Sequence, residues 1–218
     1  MKNYLIWFLM ASPFSTQAFS ADKHNWQLVA DENNIQVYVL NTDHSDIVKA
    51  KVKGRINAPL HKIKSIIDDI DHRHEWIPYL KISKALSEYQ YNKRIEYSHF
   101  KTPWPASDRD FVYEIELVLE TENKLIYKMA SVESTLMPID EDKIRADLFE
   151  TVYTLTALDK ENTAVMLTFH ADPKGWVPNW IVNIIQRKFP YRILKNLNAR
   201  LNGADREGVS ANAHNDLE

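Results

Sequence analysis

An α+β fold, in which a curved antiparallel sheet is covered by one long C-terminal helix, follows from three features of the sequence. Apolar residues alternate with polar ones in several segments between Ile35 and Ala171, the period of strands with one wet face. The gaps between these segments are of hairpin length, as at Asn123 and Asp159 to Asn162, which implies antiparallel pairing. In the last apolar segment, Asp172 to Leu201, the period changes: Trp180, Ile181, Ile184, Ile185, Ile193, Leu194, Leu197 and Leu201 recur at spacings of three and four and share one broad helical face. Such a stripe must lie on something, and the chain before it offers mostly strands. The expected arrangement is a helix that grips the sheet with an apolar ligand between them; an ordinary core helix is the plainer alternative.

Taken in order, the chain opens with a targeting segment. Lys2 supplies a positive start, Tyr4 to Met10 is an apolar run too short to span a bilayer, and small residues follow around Ala18. Residues 1–20 are therefore expected to be a cleaved signal, cut after Ser20 or, as second choice, after Ala18. The sequence holds no Cys, so neither a lipoprotein anchor nor a disulfide is expected, and a bacterial periplasm suits such an exported chain. At 218 residues, one domain over 21–202 is long enough for a sizeable core. The remainder, 203–218, has little apolar content and is expected to be disordered.

Trp26 to Val29 is a short opening segment, and Ile35, Val37 and Val39 mark a strand. Val48, Ala50, Val52, Gly54 and Ile56 alternate with Lys49, Lys51, Lys53 and Arg55, which predicts a strand with a basic outer face: a solvated surface or one attracted to anionic lipid. Asn57-Ala58-Pro59 starts a helix with the stripe Leu60, Ile63, Ile66, Ile67 and Ile70. Asp68, Asp69 and Asp71 near its end oppose the helix dipole and call for pairing with His72, Arg73 or His74. A short helical piece through Trp76 follows. About five strands come next, from Arg94 to Phe100, Arg109 to Leu119, Leu125 to Ser131, Lys143 to Thr156 and Ala164 to Ala171. In the final helix, Pro178 suits the first turn, whereas Pro190 predicts a kink or break near Phe189.

A net charge of −3 provides no global basic field, which argues against nucleic acid as a partner. With 4 Gly in the chain there is no glycine-rich phosphate cradle, and no nucleophile elbow occurs. His72 and His74 form a His-x-His pair, but on a helix that spacing points the rings apart, so a solvated helix end is the expected reading and no metal is expected.

The chain resembles the START (StAR-related lipid transfer) family of helix-grip domains over about Trp26 to Leu201. The resemblance is carried by Asp31-Glu32-Asn33-Asn34-Ile35-Gln36-Val37-Tyr38, by Trp76, by Pro103-Trp104-Pro105-Ala106-Ser107-Asp108-Arg109-Asp110, by Ile144-Arg145 and by Asp172-Pro173-Lys174-Gly175-Trp176-Val177-Pro178-Asn179-Trp180. It implies an incomplete antiparallel barrel gripped by the C-terminal helix around a tunnel for one lipid or sterol-like molecule. It also implies no cofactor and usually no catalysis.

If the last helix covers a cavity, Trp176, Val177, Trp180, Ile181 and Ile184 lie nearest its mouth. On the strand from Arg109 to Leu119, Arg109, Phe111 and Tyr113 share the apolar face, where an isolated cation needs a partner. Two readings of Arg109 stand: it binds a ligand phosphate or carboxylate, or it pairs with a carboxylate from a neighbouring strand. The same two readings hold for Arg145, with Asp147 or a strand-opposed Glu as structural partner. Pro103-Trp104-Pro105 predicts a rigid loop over the mouth, with Trp104 either at a bilayer interface or packed on the sheet as an anchor.

The expected function is thus a monomeric periplasmic lipid carrier in transient contact with a membrane surface. An enzyme on the same fold would need a general acid or base in the cavity, with His99, Glu114, Glu116 and His170 as candidates. A third possibility is an envelope assembly factor that binds a protein segment.

Overall fold

The computed structural model describes residues 26–40 and 48–203. The expected signal segment, and the expected tail beyond Gly203, lie outside the described residues. Three strands come first, β1 (Trp26–Glu32), β2 (Ile35–Leu40) and β3 (Val48–Ile56). Asn33 and Asn34 both take positive φ in the first hairpin, a conformation that Asn tolerates and that matches the twist of the flanking strands. The alternation in β3 is realised: Ala50, Val52 and Ile56 are buried, while Lys53 and Arg55 are exposed.

Helix α1 (Leu60–Asp68) begins after Pro59 and buries Leu60, Ile63 and Ile67. Its acidic end is compensated by an ion pair, Lys64 lying 2.8 Å from Asp68, and by a hydrogen bond between His72 Nδ1 and Asp69 at 2.8 Å. A 3₁₀ turn, Arg73–Glu75, follows.

Then come β4 (Leu80–Ala85), β5 (Lys93–Phe100), β6 (Asp108–Glu120), β7 (Lys124–Ser131), β8 (Lys143–Arg145), β9 (Asp147–Ala157) and β10 (Thr163–Asp172). Seven strands thus stand where about five were expected. One of the extra strands is β4, which ends the sheet and buries only Leu80, so its sequence carries little apolar signal. The other arises because the single strand expected from Lys143 to Thr156 is interrupted at Ala146. There the Ala146 N–H donates to Asp110 O at 3.0 Å, and Arg145 is drawn to the Asp110 carboxylate, which ties β8 alongside β6 as the sheet's parallel pair. The remaining order is β1-β2-β3-β10-β9-β7-β6-β5-β4, antiparallel throughout.

The chain closes with α2 (Asn179–Asn183), a π-helical turn (Ile184–Lys188) and α3 (Phe189–Leu201). The irregularity expected near Phe189 is present, but as a widened turn rather than a break. The Phe189 N–H reaches back to Ile184 O, and Pro190 then falls in the first turn of α3, where its missing N–H is tolerated. Helix α3 lies against β2 and β3. Gly54 permits the approach, since a Cβ there would fall 2.9 Å from Leu194 Cδ2. Ile63, Ile115, Leu155 and Leu197, drawn from α1, the sheet and α3, form the fully buried centre.

Candidate lipid-binding cavity

The inner face of the sheet and the α2–α3 segment do not close completely on one another, and a cavity of about 210 Å³ remains between them. Strands β5, β6, β9 and β10 supply Phe100, Phe111, Tyr153, Leu167 and Phe169; the helical side supplies Val177, Ile181, Ile184, Ile185, Phe189 and Ile193. Phe189 holds the cover in place. Its ring makes edge contacts with Phe100 on β5 (6.1 Å) and Phe169 on β10 (6.0 Å), strands that lie apart in the sheet.

One polar cluster forms the floor. Arg73, from the 3₁₀ turn, is 3% exposed and donates from Nη1 to Glu96 Oε2 (2.5 Å) and from Nη2 to Glu96 Oε1 (3.3 Å). Its Nε and Nη2 also donate to Ile67 O at the end of α1 (3.1 and 2.8 Å). Glu96 is fully buried and accepts a further bond from Arg94 Nε at 2.6 Å. The Tyr113 hydroxyl lies 2.9 Å from Ser98 Oγ and 3.4 Å from Arg73 Nη1. Burial pushes the Tyr113 phenol far above its ordinary range, with Glu96 adding to the effect, and burial pushes Tyr153 up to about 12, so both remain protonated hydroxyls.

The mouth is organised around Arg109, four residues along β6 from Tyr113 and so about 13 Å away. Arg109 is 4% exposed, and its partners are all backbone carbonyls: Pro173 O (3.1 Å), Ser107 O (2.5 Å), Lys174 O (2.9 Å) and Trp176 O (3.2 Å). Burial holds its guanidinium below the usual arginine range. It fastens the 101–107 loop to the 173–177 approach of the last helix. Gly175 makes that approach possible, with φ +63° and no space for a Cβ, which would sit 2.7 Å from Ile144 Cδ1.

The site residues expected from sequence divide into two groups. Phe111, Tyr113, Val177, Ile181 and Ile184 line the cavity, and Arg109 reaches it. The carboxylate partner expected for Arg109 is absent among the described residues: four of its five N–H donors go instead to the carbonyls that the two mouth loops converge on it. Arg145 lies off the cavity and makes a two-point pair with Asp110 (2.8 and 3.0 Å), not with Asp147 or a Glu, because the parallel β6–β8 pairing sets Asp110 opposite it. Trp104, Trp176 and Trp180 do not line the cavity either. They stand outside its mouth, 88%, 66% and 46% exposed, which overturns the reading of Trp104 as a packed anchor.

Sequence reasoning missed Arg73, Glu96, Ser98 and Tyr153. A signal was present in β5, where the two-residue period puts Glu96 and Ser98 on the same face as Phe100. The acid–base candidates lie elsewhere: His99 Nε2 is bonded to Asp108 (2.8 Å), Glu114 and Glu116 share Lys93 (2.9 and 3.3 Å), His170 lies against the Phe149 ring, and none lines the cavity.

Comparison with known proteins agrees with this architecture. Phosphatidylcholine transfer protein of Mus musculus is 24% identical over 163 residues, covering 73% of this chain and 75% of that protein. An uncharacterized protein of Pseudomonas aeruginosa is 23% identical over 197 residues, 90% of this chain and 96% of its own. Among solved structures, the STAR-related lipid transfer protein from Xanthomonas axonopodis superposes with a TM-score of 0.71 at 24% identity, covering 81% of this chain and 98% of that one. Human STARD10 gives 0.71 at 20% identity, covering 79% and 71%. Both share the large antiparallel sheet covered by a C-terminal helix. The family model described as START domain matches residues 14–204, and the chain belongs to that family.

Proposed function

We propose that the protein is a non-enzymatic lipid carrier that takes one lipid molecule into the cavity through the mouth beside Arg109. The reading rests on one observation above all: an apolar cavity with a polar floor whose mouth is flanked by three exposed indoles, Trp104, Trp176 and Trp180. Indoles are at home where hydrocarbon meets water, so these three are suited to seat the mouth on a membrane. Transfer of an acyl chain from water to such walls is favourable by about 0.8 kcal/mol per CH₂. The relatives named phosphatidylcholine transfer protein and ceramide transfer protein support a lipid as cargo. The four acid–base candidates His99, Glu114, Glu116 and His170 lie off the cavity, which favours a carrier over an enzyme. The amino-terminal segment supports a site of action in the bacterial periplasm, and the protein is taken to act as a monomer.

Native mass spectrometry of the exported protein, purified without detergent, tests this directly. The expected result is a chain beginning at Ala21 with one extractable lipid per protein. The triple variant Trp104→Ala, Trp176→Ala, Trp180→Ala should keep its stability within about 0.5 kcal/mol per site. It should lose about tenfold or more of its rate of lipid transfer between vesicles. An empty wild-type protein, or a triple variant that transfers at full rate, would sink the proposal.

A further inference from the structure

The floor of the cavity carries a cation, and an arginine facing a lipid pocket suggests a phosphate ligand. The hydrogen bonds at Arg73 point the other way. A guanidinium has five N–H donors. The Nε donor goes to Ile67 O, the Nη2 pair to Ile67 O and Glu96 Oε1, and the Nη1 pair to Glu96 Oε2 and the Tyr113 hydroxyl. No donor is left for a ligand. A phosphate placed on Arg73 would have to displace Glu96, whose carboxylate is fully buried and would lose its partner while facing a second anion. The other arginine of this cluster, Arg94, does not line the cavity; it lies over the Tyr89 ring and donates to Asp68 O and Glu96. At the mouth, Arg109 gives four of its five N–H donors to carbonyls, and Lys101, the other cation of the lining, is exposed to water at the rim.

What remains for a ligand is a set of hydroxyls at the floor, together with the indole N–H of Trp76, which also lines the cavity and has no partner among the described residues. Ser98, Tyr113, Thr151 and Tyr153 all line the cavity. Ser98 and Tyr113 bond one another in a pair where either can donate, so each retains capacity toward a third group. Among the described residues, no hydrogen bond is seen for the Thr151 or Tyr153 hydroxyl. Hydroxyls both donate and accept, which matches an alcohol or carbonyl and gives no charge to offset an anion.

Resting on the carrier reading above, we infer that the cavity selects a lipid with an uncharged polar group, a hydroxyl or carbonyl that docks on Ser98, Tyr113 and Tyr153, over lipids with a phosphate. Glu96 is then a specificity determinant, because it occupies the guanidinium that a phosphate would need.

Competition between lipids with identical chains tests this. The protein is incubated with vesicles of dioleoyl phosphatidylcholine and dioleoyl phosphatidylglycerol containing dioleoylglycerol, separated from them, extracted, and its bound lipid quantified. Dioleoylglycerol should be enriched over both phospholipids by about tenfold or more relative to the vesicles, the equivalent of one or two hydrogen bonds. Tyr113→Phe and Ser98→Ala, which keep the shape of the floor, should each reduce that enrichment several-fold. Glu96→Gln, where it folds, should shift the bound lipid toward the phospholipids. Phospholipid bound equally or in preference would overturn the inference and leave the carrier reading intact. Full enrichment retained in Tyr113→Phe and Ser98→Ala would overturn the docking assignment. A protein that recovers no lipid from any vesicle would overturn both readings.

Discussion

Two arginines reach the cavity, buried almost equally, Arg73 at 3% and Arg109 at 4% exposure, and they are satisfied in opposite ways. Arg73 faces a carboxylate that is itself buried, so charge cancels charge at the floor. Arg109 faces four carbonyl oxygens and no anion, so its charge is stabilised by dipoles of loops that must bend to reach it. The comparison teaches that an arginine on an apolar wall is weak evidence for an anionic ligand. Acceptors already in place have to be counted first, and here they take all five donors of Arg73 and four of the five of Arg109.

The largest effect should come from breaking the floor. Arg73→Ala leaves the Glu96 carboxylate without its main partner in a site closed to water, and the expected loss is about 3–5 kcal/mol in urea unfolding. The double variant Arg73→Met, Glu96→Leu removes both charges and should be more stable than Arg73→Ala alone. A double variant as unstable as the single one would show that the pair contributes through shape rather than charge.

Breaking the mouth should cost less. In Arg109→Ala three of the four freed carbonyls, those of the exposed residues Ser107, Lys174 and Trp176, can turn to water, so a loss of about 2–3 kcal/mol is expected from the charge-assisted bonds. The sharper readout is local: amide exchange should accelerate in the 101–107 and 173–177 loops while β7 and β9 keep their protection. Uniform acceleration across the sheet would mean that Arg109 supports the whole fold and not the mouth.

This contrast also explains which parts of the molecule were legible in the sequence. The sheet and the covering helix follow from period and turn chemistry, and the resemblance to START domains pointed to a cavity between them, which together is why Phe111, Tyr113, Val177, Ile181 and Ile184 were found. Arg73 was not, because it stands among Asp71, His72 and His74 in a stretch that reads as a solvated helix end; only the 3₁₀ turn carries it inward. Its partner Glu96 lies 23 residues away, and pairing across that distance depends on how α1 seats against β5. The indoles of Trp176 and Trp180 follow the apolar pattern yet point outward, since hydrophobic periodicity cannot distinguish a face that meets the core from one that meets another phase. The division of the Lys143 to Thr156 segment was hidden for a similar reason: Asp110 and Arg145 come together only through a parallel pairing that no hairpin signal announces.

The smallest expected effect distinguishes the two ends by pH. The mouth loop has a second anchor in Asp108, which accepts from the Thr102 N–H (2.8 Å) and lies 2.8 Å from His99 Nε2. Burial alone would raise the pKa of this carboxyl, but the Thr102 bond and His99 outweigh it and leave the pKa below the usual aspartate range. Because the folded value is depressed, the contribution is fully present above the unfolded value of about 3.9 and is lost as pH falls through the folded one. Asp108→Asn should therefore cost about 0.5–1.5 kcal/mol at neutral pH, a difference that shrinks toward acid. Protection of the Thr102 amide should fall in the same range in the wild-type protein. A cost that stays constant down to pH 2 would show that the anchor works through geometry alone, leaving charge at the mouth to Arg109.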